Sequence, residues 1–238
     1  MSQRRWTAVD RYITNLLVPV DPALEAAVEA RARASLPPHE VSANQGKLLW
    51  LLARAQGARR ILEIGTLAGY STIWLARALP PGGLLVTLEA DPEHAEVARA
   101  NIARAGLENL VELRLGPALD TLPRLAAEPR GPFDLFFIDA DKANHPRYLA
   151  WSLALSRLGS LIIADNVVRD GAVLDAKSRD ANIQGVRRFL ELLAVEPAVS
   201  ATAIQTVGSK GHDGFAIALV TDDPAPAAAR LLAESTRT

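Results

Sequence analysis

Cysteine is absent from all 238 residues of the chain. Disulfides, thiolate zinc sites, iron–sulfur clusters and a cysteine nucleophile are excluded with it. No apolar run approaches the roughly 18 residues that a transmembrane helix requires. The opening residues, MSQRRWTAVDRYI, carry two arginines with no apolar stretch behind them, so no secretory signal and a cytoplasmic protein are expected. Neither sign of charge is in excess: 26 Lys+Arg against 27 Asp+Glu leave a net charge of −1. A strongly basic nucleic-acid module is not expected, because affinity for a phosphate backbone rests on surplus Lys and Arg. Within the cations lysine is scarce, 4 against 22 arginines, which makes each lysine worth locating. With 49% apolar and 22% charged residues, the composition is that of a chain able to bury a core. One domain over residues 1–238 is expected, with N-terminal helices over 1–56, a core over 57–222 and a tail helix over 223–238.

The first 56 residues read as helices. Val9, Ile13, Leu16 and Leu17 share one helical face. Asp21-Pro22 opens a second helix, with proline in its first turn, and Ser35–Pro38 ends it. Ser42 or Asn44 caps a third, Gln45–Gln56, which stops before Gly57. From residue 60 the pattern changes. Short apolar runs (Ile61–Ile64, Leu84–Leu88, Val111–Leu115, Phe133–Ile138, Leu161–Ala164) alternate with helical segments (Tyr70–Leu79, Pro92–Ala105, Pro117–Leu125, Pro146–Leu158). That alternation predicts βαβ units and a parallel sheet buried on both faces. A helix over Ile183–Leu193 follows. Strands near Val199–Val207 and Phe215–Val220, joined by the turn-rich GSKGHDG, predict a closing antiparallel pair.

In open α/β sheets ligands sit at the carboxyl ends of the strands. Four of the first five apolar runs end in acid: Glu63, Glu89, Asp139 and Asp165. The first turn, Gly65-Thr66-Leu67-Ala68-Gly69, precedes a helix opened by Tyr70-Ser71, and Glu89 lies 20 residues past Gly69. A carboxylate there can grip a ribose diol. The nicotinamide fingerprint needs a glycine at its middle position so that pyrophosphate can approach the backbone. Leu67 stands there instead, and Glu63 adds negative charge. Both features favour a cofactor with a ribose, an ammonium and no phosphate, which describes S-adenosylmethionine.

Asp139, Asp165 and Asn166 offer only oxygen donors at two strand ends, which selects Mg²⁺, Mn²⁺ or Ca²⁺ over zinc. Asp-Asn also reads as a turn bonding its own backbone; its pairing with Asp139 favours ligation. Lys142 lies at the same rim and reads as a general base. Lysine acts as a base only in its neutral form, which burial and a neighbouring cation favour. His39 and His94 read as surface positions, and a surface reading is also favoured for His145 and His212.

Taken together, LEIGTLAGYST, Glu89, FFIDADKANH and LIIADNVVRDG resemble the cation-dependent class I O-methyltransferases, among them the caffeoyl-coenzyme-A and catechol O-methyltransferases. The resemblance runs from about Val41 to Val220. It implies a Rossmann-like seven-stranded sheet, mostly parallel with a reversed last strand, under an N-terminal helical cap. It implies that Val41, Glu63, Gly65, Thr66, Gly69, Ser71, Glu89, Ala118 and Asp139 line the S-adenosylmethionine site. Asp139, Asp165 and Asn166 would hold the metal, usually Mg²⁺, and Lys142 would be the base. The acceptor would be a small molecule with vicinal hydroxyls, flanked by residues 167–182, and the protein commonly a homodimer. Two departures stand out: His145 where many relatives have tyrosine, and Glu89 where many have aspartate. Within the class, a tRNA hydroxyuridine acceptor is the alternative, with Arg4-Arg5, Arg59-Arg60 and Arg187-Arg188 as its basic patch. Outside it, the alternative is a non-catalytic adenosine-ligand or NAD-binding protein.

Overall fold

A computed structural model describes residues 2–235, so the last three residues of the expected tail helix lie outside the described residues. The chain divides into two compact units, one of residues 1–118 with 207–211 and one of residues 119–206 with 212–238. Among the described residues there are seven strands, three in the first unit and four in the second.

The first unit begins with three helices, α1 (Gln3–Leu17), α2 (Pro22–Arg33) and α3 (Ala43–Gln56). Asp21 caps α2, its carboxylate accepting the N–H groups of Ala23 at 3.0 Å and Leu24 at 3.2 Å. The same carboxylate pairs with Arg77. Burial pushes the Asp21 carboxyl up, but the Arg77 bond and the two amides outweigh it and hold the carboxyl below its ordinary range. Ser42 caps α3, accepting the Gln45 N–H at 3.2 Å. The apolar face expected on α1 is present but not packed: Leu16 and Leu17 are 64% and 68% exposed. Polar bonds tie α1 down instead. Gln3 donates to the Gly208 carbonyl at 2.8 Å, Asp10 accepts the Ser209 N–H at 2.6 Å, and Thr14 donates to Asn44 Oδ1 at 3.2 Å.

β1 (Arg60–Ile64), β2 (Leu84–Glu89) and β3 (Val111–Leu115) run parallel in the order β3-β2-β1. Between them come α4 (Tyr70–Ala76) and α5 (Pro92–Arg104), the latter capped by Asp91. β1 and β2 are buried on both faces, as their unbroken apolar runs predict. β3 is not; VELRL alternates, and it is the outer strand, half-buried.

The second unit holds α6 (Ala118–Ala126), β4 (Leu135–Ile138), α7 (His145–Ala154), β5 (Leu161–Asp165), α8 (Ala181–Val195), β6 (Val199–Gly208), β7 (Gly211–Val220) and α9 (Ala225–Ser235). Its strand order is β4-β5-β7-β6. β4 and β5 are parallel, and β7 runs antiparallel to β5, the reversed last strand that the sequence predicts. The connection between β6 and β7 is shorter than GSKGHDG suggests: only Ser209 and Lys210 lie between the strands, and His212, Asp213 and Gly214 belong to β7. Ala227 and Leu231 of α9 are buried, and α9 packs on α7.

Replacing Asp21 with alanine removes both the cap and the Arg77 pair, so Asp21→Ala is expected to lose about 1–2 kcal/mol of stability in a denaturant titration. Asp21→Asn, which keeps a capping oxygen, is expected to lose less.

Candidate active site

In the first unit the polar residues gather at the end of β1. Glu63 is fully buried and lies in register with Thr87 of β2. Its carboxylate accepts hydroxyls from Ser71 at 2.6 Å, Thr72 at 2.5 Å and Thr87 at 2.7 Å. Thr66 and Thr87 share a further hydroxyl bond at 2.6 Å. A buried carboxylate costs several kcal/mol unless it is bonded in this way. Glu63 therefore locks β1 to β2 and to the first turn of α4.

The turn that follows is left-handed at three residues: Gly65 (φ 101°), Leu67 (φ 49°) and Gly69 (φ 81°). For Leu67 that conformation is strained by about 1–3 kcal/mol. The turn aims the amides of Thr66 and Leu67 at one point, an arrangement that binds anions. The anion in place is Glu89. Its Oε2 accepts the Thr66 N–H at 3.2 Å and the Leu67 N–H at 2.7 Å, and its Oε1 accepts the Asp91 N–H at 3.0 Å. The amides that would cradle a pyrophosphate are thus already taken by a side chain of the chain itself. This argues against a dinucleotide independently of the missing glycine. Of the roughly four acceptor directions of a carboxylate, these bonds leave one on Oε1, beside His94 Nδ1 at 3.6 Å. Val41, Thr66 and Ser71 are buried in the same unit, Gly65 is half-buried, and Ala118 opens α6.

In the second unit the register of β4 on β5 pairs Ile138 with Ala164. Asp139 and Asp165 each follow by one residue, on strands about 4.8 Å apart. Asp165 is 6% exposed, and its Oδ1 accepts the Asn166 N–H at 2.8 Å, so the turn-type backbone bond is indeed made. Asn166 takes a left-handed φ of 57°. Asp213 holds the loop beyond it, one carboxylate oxygen accepting the N–H groups of Val168 at 3.0 Å, Arg169 at 2.9 Å and Gly214 at 2.9 Å. Among the described residues no three His, Cys, Asp or Glu side chains gather as a metal cluster. Two carboxylates and an amide oxygen at neighbouring strand ends nevertheless fit a hard divalent cation, which takes oxygen donors and keeps open positions.

Lys142 is 7% exposed, and its Nζ lies 2.7 Å from Asp139 Oδ1. Its partner is Asp139 and not Asp141, whose carboxylate accepts Asn144 Nδ2 and the Tyr148 hydroxyl, each at 2.5 Å. Burial and the Asp141 bond push the Tyr148 phenol far above its ordinary range.

The surface reading of His145 is wrong. The ring is fully buried, and neither of its nitrogens has a hydrogen-bond partner. It packs edge-on against Phe189, with ring centroids 5.5 Å apart. Burial, then the Lys142 and Arg169 cations, hold the imidazole down at about 3. His212 is half-buried, bonded to Gln205 Oε1 at 3.0 Å; His39 is exposed and His94 half-buried. The basic pairs are partly spent on structure: Arg187 donates to the Val173 carbonyl at 2.6 Å, and Arg188 pairs with Glu191 and Glu234.

A family model for O-methyltransferases matches residues 18–218. The chain belongs to the O-methyltransferase family. It is 54% identical over 220 residues to a catechol O-methyltransferase of Niastella koreensis, covering 92% of this chain and 100% of that protein. It is 57% identical over 212 residues to a catechol O-methyltransferase of Mycobacterium tuberculosis, covering 89% and 94%. An O-methyltransferase structure from Bacillus cereus, in complex with SAH, has a TM-score of 0.92 at 58% identity and covers 92% of this chain and 100% of that one. One from Streptomyces achromogenes, involved in tomaymycin synthesis and in complex with SAM, has a TM-score of 0.91 at 55% identity, covering 93% and 100%. The expected Rossmann-like methyltransferase fold is the fold of this O-methyltransferase, and a non-catalytic ligand-binding protein is set aside.

The buried imidazole gives the stability of the O-methyltransferase a pH signature. Its folded value of about 3 lies below the ordinary 6.5, so the unfolded chain binds one more proton between these limits. The contribution is complete above the upper limit and is lost as pH falls below it. Unfolding measured over that window is expected to show a shallower pH slope in His145→Leu, by up to about 1.4 kcal/mol per pH unit. An unchanged slope would show that His145 does not titrate in this way.

Proposed function

We propose that this O-methyltransferase transfers the methyl group of S-adenosylmethionine to one hydroxyl of a small catechol-like acceptor, with a divalent cation at the acceptor end. The observation that carries the reading is the juxtaposition in the second unit. Asp139 and Asp165 end neighbouring strands in register, Asn166 follows, and the buried Lys142 lies against Asp139. The names of the catechol O-methyltransferase relatives support the acceptor class. The SAH- and SAM-containing structures support the methyl donor.

In this reading Val41, Glu63, Gly65, Thr66, Gly69, Ser71, Glu89, Ala118 and Asp139 serve the methyl donor. Glu63 acts through the hydroxyls it holds, and Glu89 through its remaining acceptor direction toward the ribose. Asp139, Asp165 and Asn166 hold the cation, Mg²⁺ by preference. When bound, the cation supplies positive charge that orients vicinal oxygens and makes a phenol easier to deprotonate. Lys142 Nζ takes the proton of the reacting hydroxyl as the oxygen attacks the sulfonium methyl. The oxygen–methyl bond forms, the sulfur–methyl bond breaks, and S-adenosylhomocysteine leaves. No covalent enzyme intermediate is required, so positioning carries most of the acceleration, up to about 7–11 kcal/mol. Self-association belongs to the same reading: Tyr12, Leu16, Leu17 and Val20 are exposed, an apolar surface of the kind a second copy covers.

Transfer of labelled methyl to 3,4-dihydroxybenzoate is expected with Mg²⁺ and not with EDTA. Lys142→Ala is expected to lower kcat by about 10²–10⁴-fold while leaving affinity for S-adenosylhomocysteine nearly intact. Asp165→Ala is expected to lose the Mg²⁺-dependent turnover. EDTA-resistant transfer would remove the cation from the account, and an unchanged kcat in Lys142→Ala would remove the base.

A further inference from the structure

Lysine 142 sits in a single 3₁₀ turn, Lys142–Asn144, between β4 and α7. So short a turn has little stiffness of its own, since it closes few backbone bonds. What fixes it is α8. Asn182, Gly185 and Phe189 recur on α8 at spacings of 3 and 4, which places them on one stripe of the helix. At the head of the stripe, Asn182 Oδ1 accepts the Ala143 N–H at 3.3 Å. Farther along, Phe189 takes the edge of the His145 ring.

Between them lies Gly185, buried in the interior of the helix. Glycine there costs roughly 0.5–1 kcal/mol relative to alanine, so it calls for a reason. Its φ is not left-handed, so the reason is space. A Cβ at residue 185 would fall 2.2 Å from the Lys142 carbonyl oxygen, 2.7 Å from Ala143 Cα and 2.9 Å from the Ala143 carbonyl oxygen. All three are backbone atoms and cannot swing aside as a side-chain tip would. The helix and the lysine-bearing turn touch through the missing side chain.

We infer that Gly185 is a positioning residue for Lys142: its bare backbone seats the turn, and through it sets where Nζ stands relative to the acceptor hydroxyl. This rests on the assignment of Lys142 as the base. A Cβ must push the turn off α8, and displacements of about 1 Å at a reacting group cost on the order of 10²-fold in rate. Among the described residues, the turn meets the residues proposed for the methyl donor at the Lys142–Asp139 pair, so the loss is expected in kcat.

The test is a double-mutant cycle on the full chain, with Mg²⁺, labelled S-adenosylmethionine and 3,4-dihydroxybenzoate. Gly185→Ala is expected to lower kcat by about 10–100-fold, with the Kd for S-adenosylhomocysteine changed less than about twofold. In a Lys142→Ala background the same substitution is expected to cost nothing further, because the group it positions is gone. Wild-type kcat in Gly185→Ala would overturn the inference. So would an equal loss in both backgrounds, which would mark a merely structural effect. If Gly185→Ala fails to fold, Asn182→Ala enters the same cycle, with a smaller loss expected that again vanishes without Lys142. Wild-type kcat in Lys142→Ala alone would overturn the base assignment and this inference with it, in an arm separate from the others.

Discussion

The carboxylate of Glu89 occupies the point at which the turn after β1 aims its amides, and the shape of this end of the first unit follows from that bond. Thr66 and Leu67 present two N–H groups that, in a dinucleotide-binding turn, would face phosphate oxygens. Here they hold a carboxylate belonging to the next strand. The charge-assisted bonds offset the left-handed strain at Leu67, and they fix the turn before any ligand arrives. Beneath it, Glu63 and its ring of hydroxyls join β1, β2 and the start of α4 into one rigid floor. A nest already filled by anion has no use for a phosphate. Its negative charge repels a pyrophosphate, and the one acceptor direction left on Oε1 lies beside His94.

The second unit is built on a different constraint, the placing of one lysine-bearing turn. Lysine 142 is buried against Asp139, while Asp141 is committed to Tyr148 and Asn144. Gly185 and Asn182 of α8 meet the backbone of the turn, and the buried His145 ring that follows it packs on Phe189 of the same helix. Asp213 plays the matching part for the loop after Asn166, tying the successive amides of Val168 and Arg169 to β7. The groups proposed to do chemistry are few, and more residues are spent on holding them still than on the chemistry itself.

Much of this was legible in the sequence. Strand–helix alternation from residue 60, the cap at Asp21 and the reversed last strand follow from periodicity and capping chemistry, both local effects. The acids at the strand ends were visible because they interrupt apolar runs. Hidden were the partners. Thr87 looks like one more β-branched residue in LLVTLE until the register sets it beside Glu63. Gly185 looks like a mild helix defect, and Asp213 like a turn residue. His145 is buried against expectation because exposure statistics for histidine say nothing of the Phe189 ring packed against it. The unpacked face of α1 was equally invisible, since helical spacing shows an apolar stripe without showing what meets it. Each of these depends on a contact distant in sequence, which a single sequence does not encode locally.

The most direct test of the filled nest is calorimetric titration of the unmodified O-methyltransferase with S-adenosylhomocysteine and, separately, with NAD⁺. Saturable binding of the first and none of the second, at equal concentrations, is the predicted result. NAD⁺ binding as tight as that of S-adenosylhomocysteine would show that Glu89 yields its amides to phosphate, and would contradict the account at its base.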